Sequence, residues 1–187
     1  MKKTILISGL VVLLTAAGNT TVKPLWPAAS PVITNTGGNK SKLITSKTTT
    51  MENQDSEALQ VVNNLFAAFK AGASHTQLAA FYDEKAEMTI PGDTENIPWI
   101  GKKTGRKQIS EHYRLLWENI KSEKLDVTDI LTKGNRVVII GYLESRYKGN
   151  NKLIKSEFSI DIVVENGKIT RYYFLEDSYD VSVKVKS

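Results

Sequence analysis

The chain has 187 residues, of which 41% are hydrophobic and 24% charged, the composition of an ordinary globular protein. Its net charge of +5 originates in the first fifty residues, which carry six lysines and no acidic residue, whereas the rest carries 19 basic and 20 acidic residues. The folded part is therefore nearly neutral, and no nucleic-acid partner is expected. Cysteine is absent, which excludes disulfides and thiolate chemistry, and two histidines are too few for a histidine-rich metal site.

The N-terminus has the layout of a secretory signal peptide. Lys2 and Lys3 precede an apolar run over residues 5–14, and the small residues 16–18 then offer a cleavage pattern. The run is shorter than the ~20 apolar residues that a membrane-spanning helix needs. We therefore expect residues 1–18 to be cleaved, leaving no stable membrane anchor, and the protein to be exported (periplasmic or secreted). It would be cytoplasmic only if Met51 were the true start.

Residues 19–54 are rich in Thr, Ser, Asn and Pro and offer little to bury. Such a composition cannot offset the entropy lost on ordering, so it predicts a disordered linker. The folded domain is then expected over residues 55–182, long enough to bury roughly two-thirds of its unfolded surface.

Three helices are predicted in the first half of this domain. Asp55 or Ser56 is expected to cap the first helix, and residues 74–77 (Ser-His-Thr-Gln) form a capping box that opens a short second helix. The third helix begins after Gly105 and carries one apolar stripe at helical spacing. That stripe consists of Ile109, Tyr113, Leu116, Trp117 and Ile120.

One strand is predicted before the third helix, over residues 86–90, followed by an irregular loop over residues 93–103. Four strand-like runs come after that helix, and Gly and Asn in the turns between them are typical of hairpins. These runs are residues 125–131, 136–147, 153–164 and 168–177. The order predicts an antiparallel meander that curves round the helices and encloses an apolar cone.

Strict alternation divides the side chains of the last run between two faces. One face receives Thr170, Tyr172, Phe174 and Glu176, and the other receives Ile169, Arg171, Tyr173, Leu175 and Asp177. In the preceding run the even positions, from Phe158 to Val164, are expected to point inward.

Together with several short motifs, this order of elements resembles the SnoaL-like branch of the nuclear transport factor 2-like superfamily over about residues 56–180. The motifs are residues 78–82 (Leu-Ala-Ala-Phe-Tyr), 90–92 (Ile-Pro-Gly), 104–106 (Thr-Gly-Arg), 165–169 (Glu-Asn-Gly-Lys-Ile) and 176–177 (Glu-Asp). The resemblance implies an α+β cone in which three N-terminal helices pack on a curved, mainly antiparallel sheet. Its pocket would accept small, often apolar molecules. Such relatives include both enzymes and non-catalytic binders, so the fold does not give the function.

At catalytic positions of these relatives the chain is largely apolar. The resemblance places Ile90 where ketosteroid isomerases hold an aspartate, and Phe174 where polyketide cyclases and epoxide hydrolases hold one. Ile160 takes the place of a pocket histidine, and Tyr142 with Glu144 takes the place of an arginine–aspartate pair. Isoleucine and phenylalanine cannot move a proton, so those particular mechanisms are not expected.

Glu144 and Glu176 are the remaining candidate catalytic acids. If both face the cone, desolvation and mutual repulsion would raise at least one pKa toward neutrality. Alternatively, both lie at strand ends, solvated or paired with Arg146, Arg171 or a lysine. The residues predicted to line the pocket are Phe66, Ile90, Trp99, His112, Tyr113, Trp117, Tyr142, Phe158, Ile160, Tyr172 and Phe174.

The leading hypothesis is an exported domain that binds a small, mainly apolar molecule. No phosphate loop, dinucleotide-binding motif, nucleophile elbow or metal motif occurs in the sequence, and neither a cofactor nor a metal is predicted. One alternative is an isomerase, cyclase or hydrolase that uses Glu144 or Glu176. Another is a protein-interaction module, with a homodimer formed through the outer sheet face around residues 157–163, where the relatives often dimerise.

Overall fold

The computed structural model describes the backbone of residues 41–187 and the side chains from residue 53 onward. The predicted signal peptide and residues 19–40 of the predicted linker lie outside this range. Helix α1 spans Ser41–Lys70, so its predicted start near Asp55 is wrong. The segment contains neither Gly nor Pro, and a helix propagates easily once it has nucleated. Asp55 and Ser56 therefore lie inside the helix.

The remaining elements follow in the order α2 (His75–Ala79), β1 (Tyr82–Ile90), β2 (Gly101–Thr104), α3 (Gly105–Asn119), β3 (Ile120–Lys133), β4 (Arg136–Tyr147), β5 (Leu153–Glu165), β6 (Lys168–Leu175) and α4 (Ser178–Lys186). Within residues 41–187 the strands form a six-stranded sheet in the order β2-β1-β6-β5-β4-β3. The pair β1–β6 is parallel and the other pairs are antiparallel. The predicted α+β architecture is confirmed. No helix within this range is long and apolar enough to cross a membrane.

Two elements were not predicted from the sequence. Strand β2 has four residues and is held by its pairing with β1, which a local pattern does not reveal. In α4, valines alternate with polar residues, a period that favours a strand. The helix forms because the Asp177 carboxylate accepts the backbone N–H of Asp180 at 3.0 Å and so caps its first turn.

A β-bulge in β6 corrects the predicted faces of that strand. Ile169 pairs with Val164 whereas Tyr172 pairs with Ile162, so β6 holds one residue more than β5 between these two pairs. The extra residue reverses the alternation. Ile169 is consequently buried in the core, on the same face as Tyr172, although strict alternation placed it on the other face.

The core lies between the inner face of the sheet and helices α1–α3. Strand β5 contributes its even positions, as predicted, and burial of each large aliphatic side chain is worth about 1.5–3 kcal/mol relative to exposure. The most buried residues of the whole core include Val62, Leu78, Met88, Ile109, Ile139, Ile162 and Ile169.

Helix α4 is fastened to the loop between β1 and β2 by one carboxylate. The Asp93 carboxylate accepts a hydrogen bond from the Ser182 hydroxyl at 2.6 Å and another from Lys186 Nζ at 3.0 Å. Asn96 donates to the same carboxylate at 2.9 Å. Donors from Ser182, Lys186 and Asn96 hold the pKa of Asp93 well below its usual value. Since Val181 of α4 is buried, this tether fixes the helix over the core.

Replacement of Asp93 by Asn should loosen α4, because the amide loses the charge that attracts Lys186. Hydrogen exchange of the α4 amides, measured by mass spectrometry, should become several-fold faster in Asp93→Asn than in the wild type. The carboxylate contacts should persist above the ordinary pKa of 3.8 and weaken as the pH falls below it. Asp129→Asn, at an exposed position of β3, is the matched control. Unchanged exchange in Asp93→Asn would show that α4 docks without this tether.

Gly141 makes room for an aromatic ring beside β4. A Cβ at this position would overlap with the backbone carbonyl oxygen of Asp126 and would lie 2.7 Å from Phe158 Cζ. The Phe158 ring, stacked on Phe174 with centroids 5.8 Å apart, therefore occupies space that any other residue would fill.

Replacement of Gly141 by Ala should destabilise the domain by roughly 2–3 kcal/mol, because neither the Asp126 carbonyl nor the Phe158 ring can withdraw freely. Urea denaturation provides the measurement. Ser159→Ala, on the outer face of β5, should change the stability by no more than about 0.5 kcal/mol. An equally small effect of Gly141→Ala on stability would contradict the close packing of the Asp126 carbonyl and the Phe158 ring against Gly141.

Candidate functional site

A cavity of about 390 Å³ lies between the inner face of the sheet and the helices. Every predicted lining residue except Tyr142 surrounds it, namely Phe66, Ile90, Trp99, His112, Tyr113, Trp117, Phe158, Ile160, Tyr172 and Phe174. Glu176 also lines it. The apolar and aromatic surface of this cavity would exclude water from any group inside it.

The lining residues that sequence reasoning missed come mainly from the helix flanks, β3 and α4. Leu65, Phe69 and Leu116 share helical faces with predicted members, so helical spacing could have identified them. Ile120 and Ile154 likewise continue predicted patterns, namely the stripe of the third helix and the inward positions of β5. The others depend on tertiary contacts, because the inward face of β4 was not evident, β3 was predicted too short and α4 was not predicted. These residues are Ile100, Ser122, Lys124, Leu125, Leu143, Ser145 and Val181.

The predicted inward orientation of Tyr142 and Glu144 is wrong. Leu143 and Ser145 line the cavity instead, and Tyr142 donates its hydroxyl to Glu144 Oε1 at 2.9 Å on the opposite face of β4. Lys155 Nζ lies 3.6 Å from the same carboxylate. Both faces of β4 carry apolar side chains, so alternation alone does not show which one is inward. Glu144 is not part of the cavity and cannot act there as an acid or base.

Glu176 is the cavity's carboxylate, and it follows Phe174 at the end of β6. None of the ion pairs or side-chain hydrogen bonds among the described residues involves its carboxyl group. Burial, with a smaller contribution from the neighbouring Asp177 charge, raises the pKa of Glu176 to about 7. The group can therefore gain or lose a proton near neutral pH.

His112 of α3 is buried and neutral. Its Nδ1 lies 2.6 Å from the backbone carbonyl oxygen of Trp99, an acceptor, so Nδ1 carries the proton. Burial lowers the pKa of His112 to about 4, although this hydrogen bond opposes the shift. With Nδ1 as donor, Nε2 is left as a hydrogen-bond acceptor. The loop before β2, which the sequence showed only as irregular, thus sets the tautomer.

Three tyrosines form a cluster at this cavity, and two of them, Tyr113 and Tyr172, line it. The hydroxyls of Tyr82 and Tyr113 are 2.7 Å apart, and the rings of Tyr82 and Tyr172 have centroids 6.1 Å apart. Burial raises the pKa of all three tyrosines above the usual value of 10.0, so they remain neutral phenols. Glu176 contributes to the shift of Tyr172, since a second negative charge beside it would be repelled.

The charges near the cavity leave Glu176 without a cationic neighbour. Lys124 lines the cavity, but its Nζ forms an ion pair with Asp126 at 2.7 Å and lies over the Tyr142 ring. Arg171 of β6 is paired with Asp161 at 2.5 Å. Within the described residues no group of three or more His, Asp or Glu side chains is arranged to hold a metal ion.

Glu176 and His112 should affect stability in opposite directions over the same pH range. The folded state raises the Glu176 pKa from 4.5 to about 7, so stability from this group falls as the pH rises through that interval. The folded state lowers the His112 pKa from 6.5 to about 4, so stability from this group rises with pH. Each term is on the order of 3 kcal/mol, and in the wild type they should nearly cancel.

Urea denaturation of single variants between about pH 7 and pH 4.5 should reveal the contribution of each residue to stability. Glu176→Gln should lose stability as the pH falls, because only His112 remains, whereas His112→Asn should gain relative stability as the pH falls. Parallel pH profiles for the two variants would contradict these assignments. Glu157→Gln, at an exposed position of β5, serves as the control.

The chain belongs to the SnoaL-like domain family, whose family model matches residues 62–172. Solved structures show the same nuclear transport factor 2-like fold. An NTF2-like protein from Burkholderia xenovorans LB400 is 23% identical, with a TM-score of 0.64 over 71% of this chain and 98% of its own. No curated protein sequence matches the chain significantly.

Two further structures of this fold contain small molecules. TerC, co-crystallised with polyporic acid, is 18% identical, with a TM-score of 0.61 over 70% of this chain and 99% of its own. A protein with a ketosteroid isomerase-like fold from Catenulispora acidiphila DSM 44928, in complex with trimethylamine, is 18% identical, with a TM-score of 0.54 over 67% of this chain and 91% of its own. At these identities the likeness shows the fold alone.

Proposed function

We propose that this domain binds a small, mainly apolar molecule in the cavity between the sheet and the helices. The observation that carries the proposal is the cavity itself, about 390 Å³ at a place where a domain of this size would otherwise pack its core. Its volume lies within the range of small-molecule sites, about 300–1,000 Å³. Apolar side chains surround it, and a few polar groups (Glu176, His112 and Tyr172) could orient a ligand.

Two solved relatives support this function by analogy. TerC was crystallised with polyporic acid and the Catenulispora acidiphila protein with trimethylamine, so the fold accommodates small organic molecules in both. Here Ile90, Ile160 and Phe174 line the cavity, and none of these side chains can transfer a proton. Binding without chemistry is therefore the simplest role that the lining supports.

Filling the cavity should abolish binding without unfolding the domain. Ser145 is half-buried on the cavity wall, and in Ser145→Phe the ring should occupy ligand space. We expect a neutral apolar probe, 4-phenylbutanol, to bind the wild type and to bind Ser145→Phe at least about tenfold more weakly, a loss of about 1.4 kcal/mol. Isothermal titration calorimetry measures both affinities.

Ser159→Phe is the matched control, since Ser159 is half-buried on the outer face of the same sheet. It should bind the probe like the wild type. Equal binding by both variants would place the probe elsewhere, and no binding by the wild type would remove the proposal. Native mass spectrometry of the purified wild-type chain provides a second readout through any co-purifying small molecule.

The second candidate function is an isomerase, cyclase or hydrolase activity based on Glu176. The specific observation in its favour is a pKa of about 7 for this carboxyl, which suits proton transfer at neutral pH. If the co-purifying molecule is converted, Glu176→Gln should abolish the conversion and Glu144→Gln should retain it, because Glu144 faces away from the cavity. Full activity of Glu176→Gln would exclude this carboxylate as the acid or base.

Export remains part of the proposal on the strength of the N-terminal sequence. Mass spectrometry of the mature protein should find an N-terminus close to residue 19.

A homodimer through the outer sheet face is also proposed, because Leu131, Ile140 and Leu175 are exposed there. Sedimentation that shows only monomer at high concentration would argue against it.

A further inference from the structure

Two polar groups of the cavity wall, Glu176 and His112, are placed to accept hydrogen bonds from a ligand, whereas the indole N–H groups of Trp99 and Trp117 there can only donate. Glu176 has no cationic partner among the described residues, and the neutral His112 presents Nε2 as an acceptor once Nδ1 donates to Trp99. The Tyr113 hydroxyl is engaged with Tyr82, while Tyr172 can donate or accept. Glu176 and His112 Nε2 can therefore each accept a hydrogen bond from a ligand in the cavity.

The aromatic rings of the lining also present partial negative charge to the cavity. Phe66, Phe69, Trp99, Trp117, Tyr172 and Phe174 all contribute to the cavity wall. The face of an aromatic ring carries partial negative charge and attracts a cation. Phe174 and Glu176 both line the cavity, so a charge at Glu176 would face the same space as these rings.

On this basis we propose that the ligand is an apolar amine, whose cationic nitrogen pairs with Glu176 while its hydrocarbon part occupies the aromatic cavity. The inference rests on the proposed binding function and narrows it to one chemical class. The nitrogen would supply the charge that Glu176 lacks and N–H donors for the acceptors around it. An anionic ligand would meet Glu176 without a cation to offset it, since Lys124 Nζ is paired with Asp126.

Three probes of nearly equal size and different charge test this proposal on the full chain. They are 4-phenylbutylamine, the neutral 4-phenylbutanol and the anionic 4-phenylbutyrate. At about pH 8.5 the amine should bind about ten- to a hundredfold more tightly than the alcohol, the gain expected for a charge-assisted hydrogen bond. The anion should bind most weakly. Isothermal titration calorimetry provides the affinities.

Glu176→Gln should abolish the preference for the amine while still binding the alcohol. The alcohol thereby reports that the variant still folds and still has its cavity. Glu157→Gln removes an exposed carboxylate from the outer face of β5 and should retain the full preference.

The pH dependence gives an independent readout. Only the ionised carboxyl attracts the amine, and its pKa of about 7 predicts that the ionised fraction falls about 30-fold between pH 8.5 and pH 5.5, so the amine should lose most of its advantage over the alcohol. The neighbouring groups with shifted pKa values do not change charge in this interval. The pKa of His112 is about 4, those of Tyr113 and Tyr172 lie above 10.0, and Lys124 stays in its ion pair. Binding of the alcohol should not depend on pH.

The outcomes separate this inference from the proposed function. If the alcohol binds but the amine has no advantage, or the advantage survives in Glu176→Gln, the inference is wrong and the binding function stands. Preferred binding of the anion also overturns the inference. If none of the three probes binds the wild type, both proposals fail.

Discussion

The pairing register of β4, β5 and β6 controls which side chains reach the cavity. Ile160 stands between Ile139 and Phe174, and Ile162 stands between Val137 and Tyr172, so each inward row crosses three strands. Because successive residues of a strand point to opposite faces, a shift of one residue would exchange the entire lining. Such a shift would bring Glu144 and Tyr142 inward and turn Leu143 outward. The apolar cavity therefore exists only in this register.

The apolar residues around the cavity also determine the pKa values of Glu176 and His112. Apolar neighbours remove water from Glu176 and His112, and desolvation disfavours the charged form of each. One group consequently tends to keep its proton and the other tends to lose it, so both are neutral at mildly acidic pH and Glu176 becomes charged as the pH rises through about 7. The Trp99 carbonyl completes the arrangement, since it holds the His112 proton on Nδ1.

Within the SnoaL-like fold, this chain combines a largely apolar lining with one carboxylate, that of Glu176. Phe174 occupies the position where the resemblance implied an aspartate, and the available carboxyl lies two residues further on, at Glu176. The cavity thus combines this carboxylate and the His112 acceptor with aromatic faces, and the one lysine on its wall is paired with Asp126. A site of this kind can recognise a positive group more readily than it can stabilise a developing negative charge.

Local pattern in the sequence determined the third helix, the strands β4–β6 and the inward positions of β5, because helical and alternating periodicities are strong where one face alone is apolar. The tertiary structure decided the inward face of β4, since Val137, Ile139 and Leu143 alternate there with the equally apolar Val138, Ile140 and Tyr142. It also decided the bulge that turns Ile169 inward and the capping of α4 by Asp177. These features depend on partners distant in sequence or on one hydrogen bond, which periodicity does not record. Glu176 illustrates both sources of information. Alternation in the sequence placed it on the same face as Phe174, and the tertiary structure showed that no cation among the described residues pairs with it.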